Sequence, residues 1–477
     1  MALVAGVDSS TQSTKVLVVD VETGQVVREG AGSHPDGTEC HPDHWWQAFQ
    51  EAAAAAGGLD DVEAVAVGGQ QHGMVLLDAD GEVIRPALLW NDTRSAQAAA
   101  DLTDELGVDT WVAATGLSLV ASFTVTKLRW MADHEPEQAA RVAAVCLPHD
   151  WLTWRLRGAP GLDGLVTDRS DASGTGYFDP VSNDYRRDLL AYALRRDSAD
   201  QIVLPRVLGP SEPAGTGAAA LGLAGAQVGP GCGDNAGAAL GLGLGAGQGS
   251  LSLGTSSVVA TVTDTPVRDR TGLVAGFADA TGRYLPLTCT INGAQIIDAT
   301  CTLLGVDYRG FDELAASADP GAGGVTFVPH LGGERTPNLP DAKGTLAGLT
   351  QANMTPANLA RAAVEGLLCL LAFGLEAQRQ LGVDIASGSL VGGAARSAVV
   401  RRLAPAVLGI PVEVPPPGQY VALGAARQAA WVLHGGDQPP AWPRPGVERL
   451  QAEPTGFVYQ RYAMVAEQIA SLVTELR

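Results

Sequence analysis

The 477-residue sequence predicts an α/β protein built from two similar domains. Two stretches carry this prediction, because each has the pattern of a strand, a turn rich in Thr and Ser, and a second strand. The first covers residues 4–20 with its turn at 8–14, and the second covers residues 250–262 with its turn at 254–257. A structural duplication would place the two turns face to face, with one polyphosphate held between them. Backbone N–H groups and hydroxyls in such turns bind phosphate oxygens. Taken alone, the second turn is explained equally well as an ordinary polar hairpin turn or as a phosphate-binding turn.

The composition is that of a folded, acidic protein. Hydrophobic residues make up 46% and charged residues 17% of the chain, a balance that excludes a disordered polar chain. The formal net charge of −21 argues against nucleic acid and anionic membranes as partners, because both attract basic surfaces. The sequence leaves the oligomeric state open, a homodimer included. The three lysines, Lys15, Lys127 and Lys343, all lie outside a GxxxxGK[ST] pattern, which excludes a P-loop.

The N-terminal residues and the cysteines indicate a reducing, cytoplasmic setting. Asp8 interrupts the apolar residues near the start, so the sequence predicts no signal peptide. No stretch of about 18 apolar residues suggests a membrane span. The six cysteines form neither a CxxC pair nor a zinc-ligand spacing, and reduced thiols are the simplest account.

The first hairpin continues into the elements of a layered domain. The pattern predicts a third strand over residues 25–31, a helix over 43–56 and a returning strand over 62–67. Three antiparallel strands, a covering helix and a further strand bury a sheet face, which gives an α/β layered domain.

Two loops of the first half carry polar groups suited to a polyol. The loop 68–73 contains Gln71 and His72, which can donate and accept hydrogen bonds toward several hydroxyls, and its glycines let a ligand approach. A single loop histidine is more often structural, so this motif alone does not decide. The loop 88–94 presents Trp90, whose ring can pack against a sugar. A strand end capped by an Asn-Asp pair is an equal alternative.

The glycine-rich stretch 229–257 contains the candidate catalytic carboxylate, Asp234. Nine of its first 21 residues are glycine, a composition suited to backbone that turns sharply or approaches a ligand closely. Asp234 precedes a predicted helix at 235–244, so we expect it at the N-cap, and a purely capping role is the simpler interpretation of an isolated Gly-Asp-Asn. We expect the helix N-terminus to keep this carboxylate ionised, and therefore a weak base.

The second half repeats the succession of strand, glycine turn and helix. Gly293 lies in the turn before a predicted helix. Gly392 and Gly393 follow a predicted strand at 389–391 and precede a helix that begins near Ser397. Glycines at a helix N-terminus let adenosine lie against the backbone. Taken alone, this signal is as weak as a single GxGxxG.

Together these motifs resemble the FGGY family of carbohydrate kinases, from Val4 to about Trp431. At least five separated motifs occur in the family's order, which is far more specific than any one of them. The loops GQQHG and LLDADGEVIRPALLWNDTR look like the xylulokinase branch, where the first loop usually reads GQMHG, so Gln71 stands in place of Met. The resemblance implies two ribonuclease-H-like, actin-type ATPase domains with a central cleft: 1–246 for the sugar, with the first phosphate hairpin and the catalytic Asp, and 247–477 for ATP.

The same resemblance implies transfer of the ATP γ-phosphoryl group to the 5-hydroxyl of D-xylulose, with Asp234 as general base. Asp8 would organise Mg²⁺, directly or through water. The implied sugar-binding residues are Gln71, His72, Trp90, Asp234 and Asn235, and the implied ATP-binding residues are Thr11, Ser13, Gly254, Thr255, Ser256, Gly293, Gly392, Gly393 and Ser397. Closure of the domains on the sugar is expected to exclude water, which would otherwise compete as acceptor.

Other functions stay open. A ribulose, fuculose or gluconate kinase would share the ATP site and differ around His72. A non-catalytic actin-type protein that binds nucleotide and sugar would not need an ionised Asp234 facing the sugar. A Rossmann dehydrogenase is weakly supported, because the sequence has no strand-GxGxxG-helix unit with a later acidic residue.

Overall fold

The computed structural model describes residues 2–475, and residues 1, 476 and 477, at the outer ends of the two predicted domains, lie outside this range. The strands up to Leu244 are β1 (Leu3–Ser9), β2 (Ser13–Asp20), β3 (Val26–Ser33), β4 (Glu39–Cys40), β5 (Val62–Gly69), β6 (Val75–Leu77), β7 (Ala87–Leu88), β8 (Ala144–Cys146), β9 (Val166–Asp168), β10 (Phe178–Asp179), β11 (Asp184–Tyr185), β12 (Arg206–Leu208), β13 (Gly215–Thr216), β14 (Gln227–Val228) and β15 (Cys232–Gly233). The later strands are β16 (Gln248–Leu253), β17 (Ser257–Thr261), β18 (Ala275–Ala278), β19 (Tyr284–Cys289), β20 (Thr326–Val328), β21 (Thr345–Ala347), β22 (Ser387–Val391), β23 (Val412–Val414) and β24 (Glu448–Leu450).

The α-helices are α1 (Pro42–Ala55), α2 (Ala96–Leu106), α3 (Val108–Thr115), α4 (Thr124–His134), α5 (Pro136–Arg141), α6 (Pro148–Leu156), α7 (Arg169–Ala172), α8 (Arg187–Ala193), α9 (Asp234–Gly241), α10 (Gln295–Leu304), α11 (Tyr308–Ser317), α12 (Pro356–Gln380), α13 (Ala398–Leu408), α14 (Tyr420–His434) and α15 (Gly456–Glu475). Short 3-10 helices lie at Leu162–Gly164, Ala219–Leu221, Ala322–Gly324 and Gly393–Arg396.

The chain divides into two compact units. Unit 1 comprises Met1–Leu244, Asp264–Leu285 and Gln419–Pro443, and unit 2 comprises Gly245–Thr263, Pro286–Gly418 and Arg444–Arg477. The predicted domains, 1–246 and 247–477, are defined by motif order rather than by contacts and stay a prediction.

The main sheet of unit 1 has the strand order β13-β14-β5-β1-β2-β3, and β15 also pairs with β5. Strands β1, β2 and β3 are antiparallel neighbours, and β5 returns parallel to β1. The predicted hairpin, third strand, helix and returning strand are therefore all present. Because β5 is parallel to β1, both strands end at the same edge of the sheet.

The two faces of β1 bury different sets of side chains, as the period-2 pattern of a strand requires. Leu3, Ala5 and Val7 belong to the apolar cluster that includes Trp45 and Phe49 of α1. The other face packs against α14, whose alanines at 422, 425, 426, 429 and 430 are fully buried. Small residues allow this close approach: a Cβ on residue 6 of β1 would lie 1.9 Å from a backbone carbonyl oxygen of α14.

The main sheet of unit 2 repeats this design. Its strands pair in the order β19-β17-β16-β22-β23-β24. Strands β16 and β17 form an antiparallel hairpin, and β22 lies parallel to β16, as β5 lies parallel to β1 in unit 1. The repeated strand-turn-strand pattern of the sequence therefore corresponds to a repeated structural unit.

Helix α12 is long and apolar enough to cross a membrane by length and composition, although the sequence pattern indicated no span. Of its most apolar 18 residues, 83% are buried inside the protein, as in the core helix of a globular domain. Its buried ion pair, Arg361 Nε to Glu365 Oε1 at 2.7 Å, is consistent with a protein interior, where charges must be paired. We therefore assign α12 to the core of unit 2.

Candidate active site

Three parallel strands of unit 1 end side by side, and the predicted sugar-site residues follow them. Gly68 of β5 is paired with Asp8 of β1 and also with Cys232 of β15. The chain leaves β1 at the Thr/Ser turn, β5 at the loop that contains Gln71, and β15 at Asp234. Ligands of open α/β sheets bind at the carboxyl ends of parallel strands, so this edge is the candidate site.

Asp234 is the first residue of α9, and the N-cap of this helix is Gly233. The prediction that Asp234 is the N-cap is therefore off by one residue. The Oδ1 atom of Asp234 accepts hydrogen bonds from the backbone N–H of Asn235 at 2.7 Å and from its side-chain amide at 2.8 Å. Burial raises the pKa of Asp234 to about 7; the N–H of Asn235 opposes this shift, and the charge of Asp8 adds to it. The expectation of a fully ionised, weakly basic carboxylate is therefore wrong, because loss of hydration outweighs the helix dipole and both N–H groups.

Asp8 lies at the end of the neighbouring strand and is 3% exposed. The hydroxyl of Ser10 donates to its Oδ1 at 2.6 Å, and Lys15 Nζ lies 3.6 Å from its Oδ2. Burial raises the pKa of Asp8, whereas Ser10 and Lys15 lower it. The register of the hairpin, which pairs Asp8 with Lys15, explains the ion pair that the motif alone did not indicate.

Trp90 contacts the first Thr/Ser turn. Its Nε1 donates to Thr11 Oγ1 at 2.9 Å, and both residues are partly exposed. Ser13, the first residue of β2, is also partly exposed. Asp92, by contrast, has both carboxylate oxygens engaged by neighbouring Thr and Arg side chains. Asp92 therefore has the structural role of a capped strand end that the sequence left open. Trp90 and Thr11 are joined by a hydrogen bond and lie together on one partly exposed surface.

Gln71 and His72 are both buried and are fixed by the loop that contains α7. Gln71 Nε2 donates to the carbonyl of Ser170 at 3.2 Å, and His72 Nδ1 lies 2.9 Å from the carbonyl of Gly174. Because a carbonyl only accepts, Nδ1 carries the proton and Nε2 is the acceptor in the neutral ring. Two phenylalanine rings pack against the imidazole, with centroids 5.2 and 5.5 Å away. The ring orientation is thus set before any sugar binds.

Lys127 is a supporting residue that the sequence motifs did not indicate. It is fully buried on α4, and its Nζ donates to the carbonyls of His72 and Ser122, both at 2.8 Å. The hydroxyl of Thr124 donates to the same His72 carbonyl at 3.2 Å. His72 has a φ of +70°, which side-chain-bearing residues rarely adopt, so these donors hold a strained backbone in place. Burial lowers the pKa of Lys127 to about 7.

A second buried group that the motifs did not indicate is the His149 cluster, formed by His149, Asp150, Asp168 and Asp171. His149 Nδ1 lies 2.5 Å from Asp171 Oδ2, and Nε2 lies 3.3 Å from Asp150 Oδ1 and 4.0 Å from Asp168 Oδ1. Burial lowers the pKa of His149, but the charges of Asp150 and Asp171 outweigh it and raise the pKa to about 10. Donor atoms of His149, Asp150 and Asp171 lie within 4.8 Å of one another, as in a metal site. The direct hydrogen bond to Asp171 is instead that of an imidazolium with a carboxylate.

In unit 2, predicted ATP-site glycines meet at the tip of the second hairpin. A Cβ at Gly293 would lie 2.4 Å from the carbonyl oxygen of Gly254, and a Cβ at Gly392 would lie 2.6 Å from that of Leu253. The backbone N–H of Ala294 donates to the Gly254 carbonyl at 2.7 Å. The tip, the start of α10 and the end of β22 are therefore in direct backbone contact, which only residues without a Cβ permit.

The remaining predicted ATP-site residues differ in exposure and in their hydrogen bonds. Thr255 is exposed, Ser256 is partly exposed, and the space around a Cβ at Gly393 is empty to 4 Å. Ser397, in contrast, is the N-cap of α13, and its hydroxyl donates to Asp312 Oδ1 at 2.6 Å. The same hydroxyl oxygen accepts the N–H of Val400 at 3.2 Å, so Ser397 caps the start of α13.

Family models match both halves of the sequence. The N-terminal domain of the FGGY family of carbohydrate kinases matches residues 3–241, and the C-terminal domain of the same family matches residues 249–433. The chain belongs to the FGGY family of carbohydrate kinases. It is therefore an ATP-dependent sugar kinase with the two-domain, actin-type fold of that family, as the motifs predicted.

Individual relatives agree with this family. The FGGY kinase is 46% identical to a xylulose kinase of Streptomyces coelicolor over 445 residues, 91% of this chain and 89% of the relative. A solved xylulose kinase of Bifidobacterium adolescentis is 52% identical, with a TM-score of 0.92 over 98% of this chain and 99% of the other. A glycerol kinase of Plasmodium falciparum, 17% identical with a TM-score of 0.84 over 99% and 98% of the two chains, shares the fold alone.

Proposed function

We propose that this kinase transfers the γ-phosphoryl group of ATP to the 5-hydroxyl of D-xylulose and produces D-xylulose 5-phosphate. The choice of sugar is supported by 46% identity to a xylulose kinase over 91% of the chain. The observation that carries the mechanism is the position of Asp234 directly after β15, where the preceding residue, Gly233, packs against the buried Gln71. The pKa of this carboxylate is about 7.

Asp234 acts as the general base. One of its carboxylate oxygens accepts the proton of the 5-hydroxyl as the oxygen bonds to phosphorus, and the bond between the γ-phosphorus and the bridging oxygen of ADP breaks. A base with a pKa near the operating pH is efficient, because it is ionised in a large fraction of molecules and still holds the proton well. This contribution amounts to about 10²- to 10⁴-fold in rate, or about 3–5 kcal/mol of barrier.

Gln71, His72, Asn235 and Trp90 orient the sugar. The lone pair on Nε2 of a neutral His72 accepts from a sugar hydroxyl, and the amides supply both donors and acceptors. The partly exposed ring of Trp90 offers an apolar face to the carbon chain. Because water is smaller than the sugar, the bound sugar must also exclude it from the base.

Mg²⁺ is the expected companion of ATP in this reaction, and the residues at the end of β1 fit it. Carboxylate oxygens are ligands that Mg²⁺ prefers. The negative charge of Asp8 repels that of Asp234 and raises the pKa of Asp234. Asp8 would hold a divalent cation, directly or through water, and that repulsion would then be relieved. When bound, the cation would neutralise charge on the phosphates.

The triphosphate of ATP is held in unit 2 by the tip of the second hairpin. Backbone N–H groups at Thr255 and Ser256 bind phosphate oxygens, while the N–H of Gly254 donates to the Ser256 carbonyl at 3.1 Å within the turn. Gly293 and Gly392 fix the tip by close backbone contact, and Gly393 leaves room for the nucleotide. Thr11 and Ser13 of unit 1 stay predicted phosphate ligands. A cytoplasmic location belongs to the same proposal.

A coupled ADP-release assay tests the proposed function. D-xylulose is compared with D-ribulose, L-fuculose, D-gluconate and a sample without sugar, and ³¹P NMR identifies the phosphorylated carbon. We expect the highest kcat/KM with D-xylulose and phosphate on its 5-oxygen. A different preferred sugar would refute the substrate, and equal ADP release without sugar would refute the sugar kinase mechanism.

A further inference from the structure

The His149 cluster packs directly against the backbone that carries Asp234 and Gln71. A Cβ at Gly231 would lie 2.2 Å from Cδ2 of the His149 ring, and a Cβ at Gly69 would lie 2.8 Å from Cβ of His149. Gly231 precedes Asp234 by three residues, and Gly69 precedes Gln71 by two. The histidine therefore contacts the strand ends that present both side chains.

Hydrogen bonds from α7 reach the same two segments. Asp168 caps α7 by accepting the N–H groups of Ser170 and Asp171 at 2.9 and 3.0 Å. The hydroxyl oxygen of Ser170 accepts the N–H of Gly233 at 3.0 Å, and its carbonyl accepts from Gln71 Nε2 at 3.2 Å. Gly233 is the residue before the proposed base. The position of α7 therefore sets the position of both site segments.

The charge of His149 is what allows α7 to be buried in this place. The side chains of Asp150, Asp168 and Asp171 are at most 5% exposed, and His149 is 0% exposed. Buried carboxylates lose hydration and repel one another unless a cation lies among them. Among the residues that the structure describes, Nε2 of His149 and Oδ1 of Asp150 have no hydrogen-bond partner, so the attraction between these two side chains is ionic.

We propose that His149 is a positioning residue for phosphoryl transfer: its positive charge holds α7, and α7 fixes Gly233 and Gln71. This inference rests on the proposed function, because it requires Asp234 as the base and Gln71 as a sugar contact. His149 acts through α7 and through its packing against Gly69 and Gly231, and its side chain is fully buried within the cluster.

Two substitutions separate charge from shape at this position. His149→Gln removes the charge and keeps a polar side chain, and His149→Lys keeps a cation. We expect His149→Gln to lower kcat/KM for the sugar by about 10- to 100-fold, because small misplacements of reacting groups have effects of this size. We expect the KM for ATP to stay within about twofold, and His149→Lys to recover most of the activity.

Arg129→Met is the matched control. Arg129 is a buried cation of the same unit whose side chain pairs with Glu105 and Asp133, neither of which is a proposed site residue. We expect it to lower the melting temperature and to leave kcat/KM for the sugar, per folded enzyme, within about twofold. Wild-type kinetics in His149→Gln, or equal loss in His149→Gln and His149→Lys, would overturn the proposal.

A second variant and a measurement on the wild-type protein cover the case in which His149→Gln does not fold. Ser170→Ala removes the acceptor of the Gly233 N–H and leaves the cluster charges intact; we expect about tenfold lower kcat/KM for the sugar. In ¹⁵N NMR spectra at pH 8, the signals of His149 are those that are missing from the spectrum of His149→Lys. We expect these signals to show that both ring nitrogens are protonated. A neutral ring, one equivalent of bound zinc, or wild-type kinetics in Ser170→Ala would overturn the proposal.

The outcomes distinguish this inference from the function on which it rests. If the wild-type enzyme does not phosphorylate D-xylulose, the proposed function fails, whatever the charge of His149. If the wild-type enzyme is active and His149→Gln is equally active, only the positioning role fails.

Discussion

Replacing Asp234 with Asn should stabilise the protein, and the gain should grow with pH. Burial raises the pKa of Asp234 in the folded protein to about 7, compared with 3.8 for the unperturbed group. Between these two values the folded state binds more protons than the unfolded state, so stability falls as pH rises from about 4 to about 7. Asn keeps the shape and an acceptor oxygen for the Asn235 N–H, and it removes the titration.

The size of the gain follows from the same shift. With about 1.4 kcal/mol for each unit of pKa difference, the wild-type carboxylate lowers the free energy of unfolding by about 2 kcal/mol at pH 5 and about 4 kcal/mol at pH 8. Asp234→Asn should therefore be more stable than the wild type at both pH values, with an advantage about twice as large at pH 8.

Urea unfolding of both proteins at pH 5 and pH 8, followed by circular dichroism, measures this advantage. The reasoning predicts a difference in unfolding midpoint that grows with pH. The buried-carboxylate reasoning is refuted if the difference is independent of pH or if Asp234→Asn is the less stable protein at pH 8.

The other predictions concern the pH dependence of the rate and the two binding units. Because Asp234 must be ionised to accept a proton, kcat/KM for the sugar should rise with pH and reach half its maximum at or below pH 7, since a cation on Asp8 lowers the pKa of Asp234; a flat profile from pH 4 to 8 would exclude this base. Lys127→Met removes a donor to the strained His72 carbonyl, so the KM for the sugar should rise about tenfold with an unchanged KM for ATP; equal changes in both would indicate general damage. Gly293→Ala places a Cβ 2.4 Å from the Gly254 carbonyl and should raise the KM for ATP at least about tenfold. Gly456→Ala, whose Cβ meets no atom within 4 Å, is the control, and equal KM values for the two variants would contradict the hairpin-tip site.

Local patterns predicted the hairpins and the layered fold because their causes are local. Alternating apolar residues on both sides of a Thr/Ser turn specify a two-stranded ribbon, and the same pattern near Thr11 and Thr255 predicted the repeated design of the two units. The pairing of Asp8 with Lys15 also follows from a register centred on the turn, so the sequence contained that signal.

Long-range contacts could not be predicted in this way. His149 meets Asp171 across 22 positions of sequence, and Lys127 meets the carbonyl of His72 across 55 positions. These contacts depend on how separate strands and helices pack, which no local spacing records. The pKa of Asp234 has the same origin: the local helix N-terminus favours ionisation, but tertiary burial has the larger effect.

The account depends most directly on Asp234 as the acceptor of the sugar proton. Single-turnover phosphorylation of D-xylulose by Asp234→Ala, with ATP affinity measured on the same protein by calorimetry, tests this role. We predict a rate about 10²- to 10⁴-fold below the wild type and an ATP dissociation constant within about threefold of it. A rate within about tenfold of the wild type would contradict the account, because such a small loss is less than general base catalysis contributes.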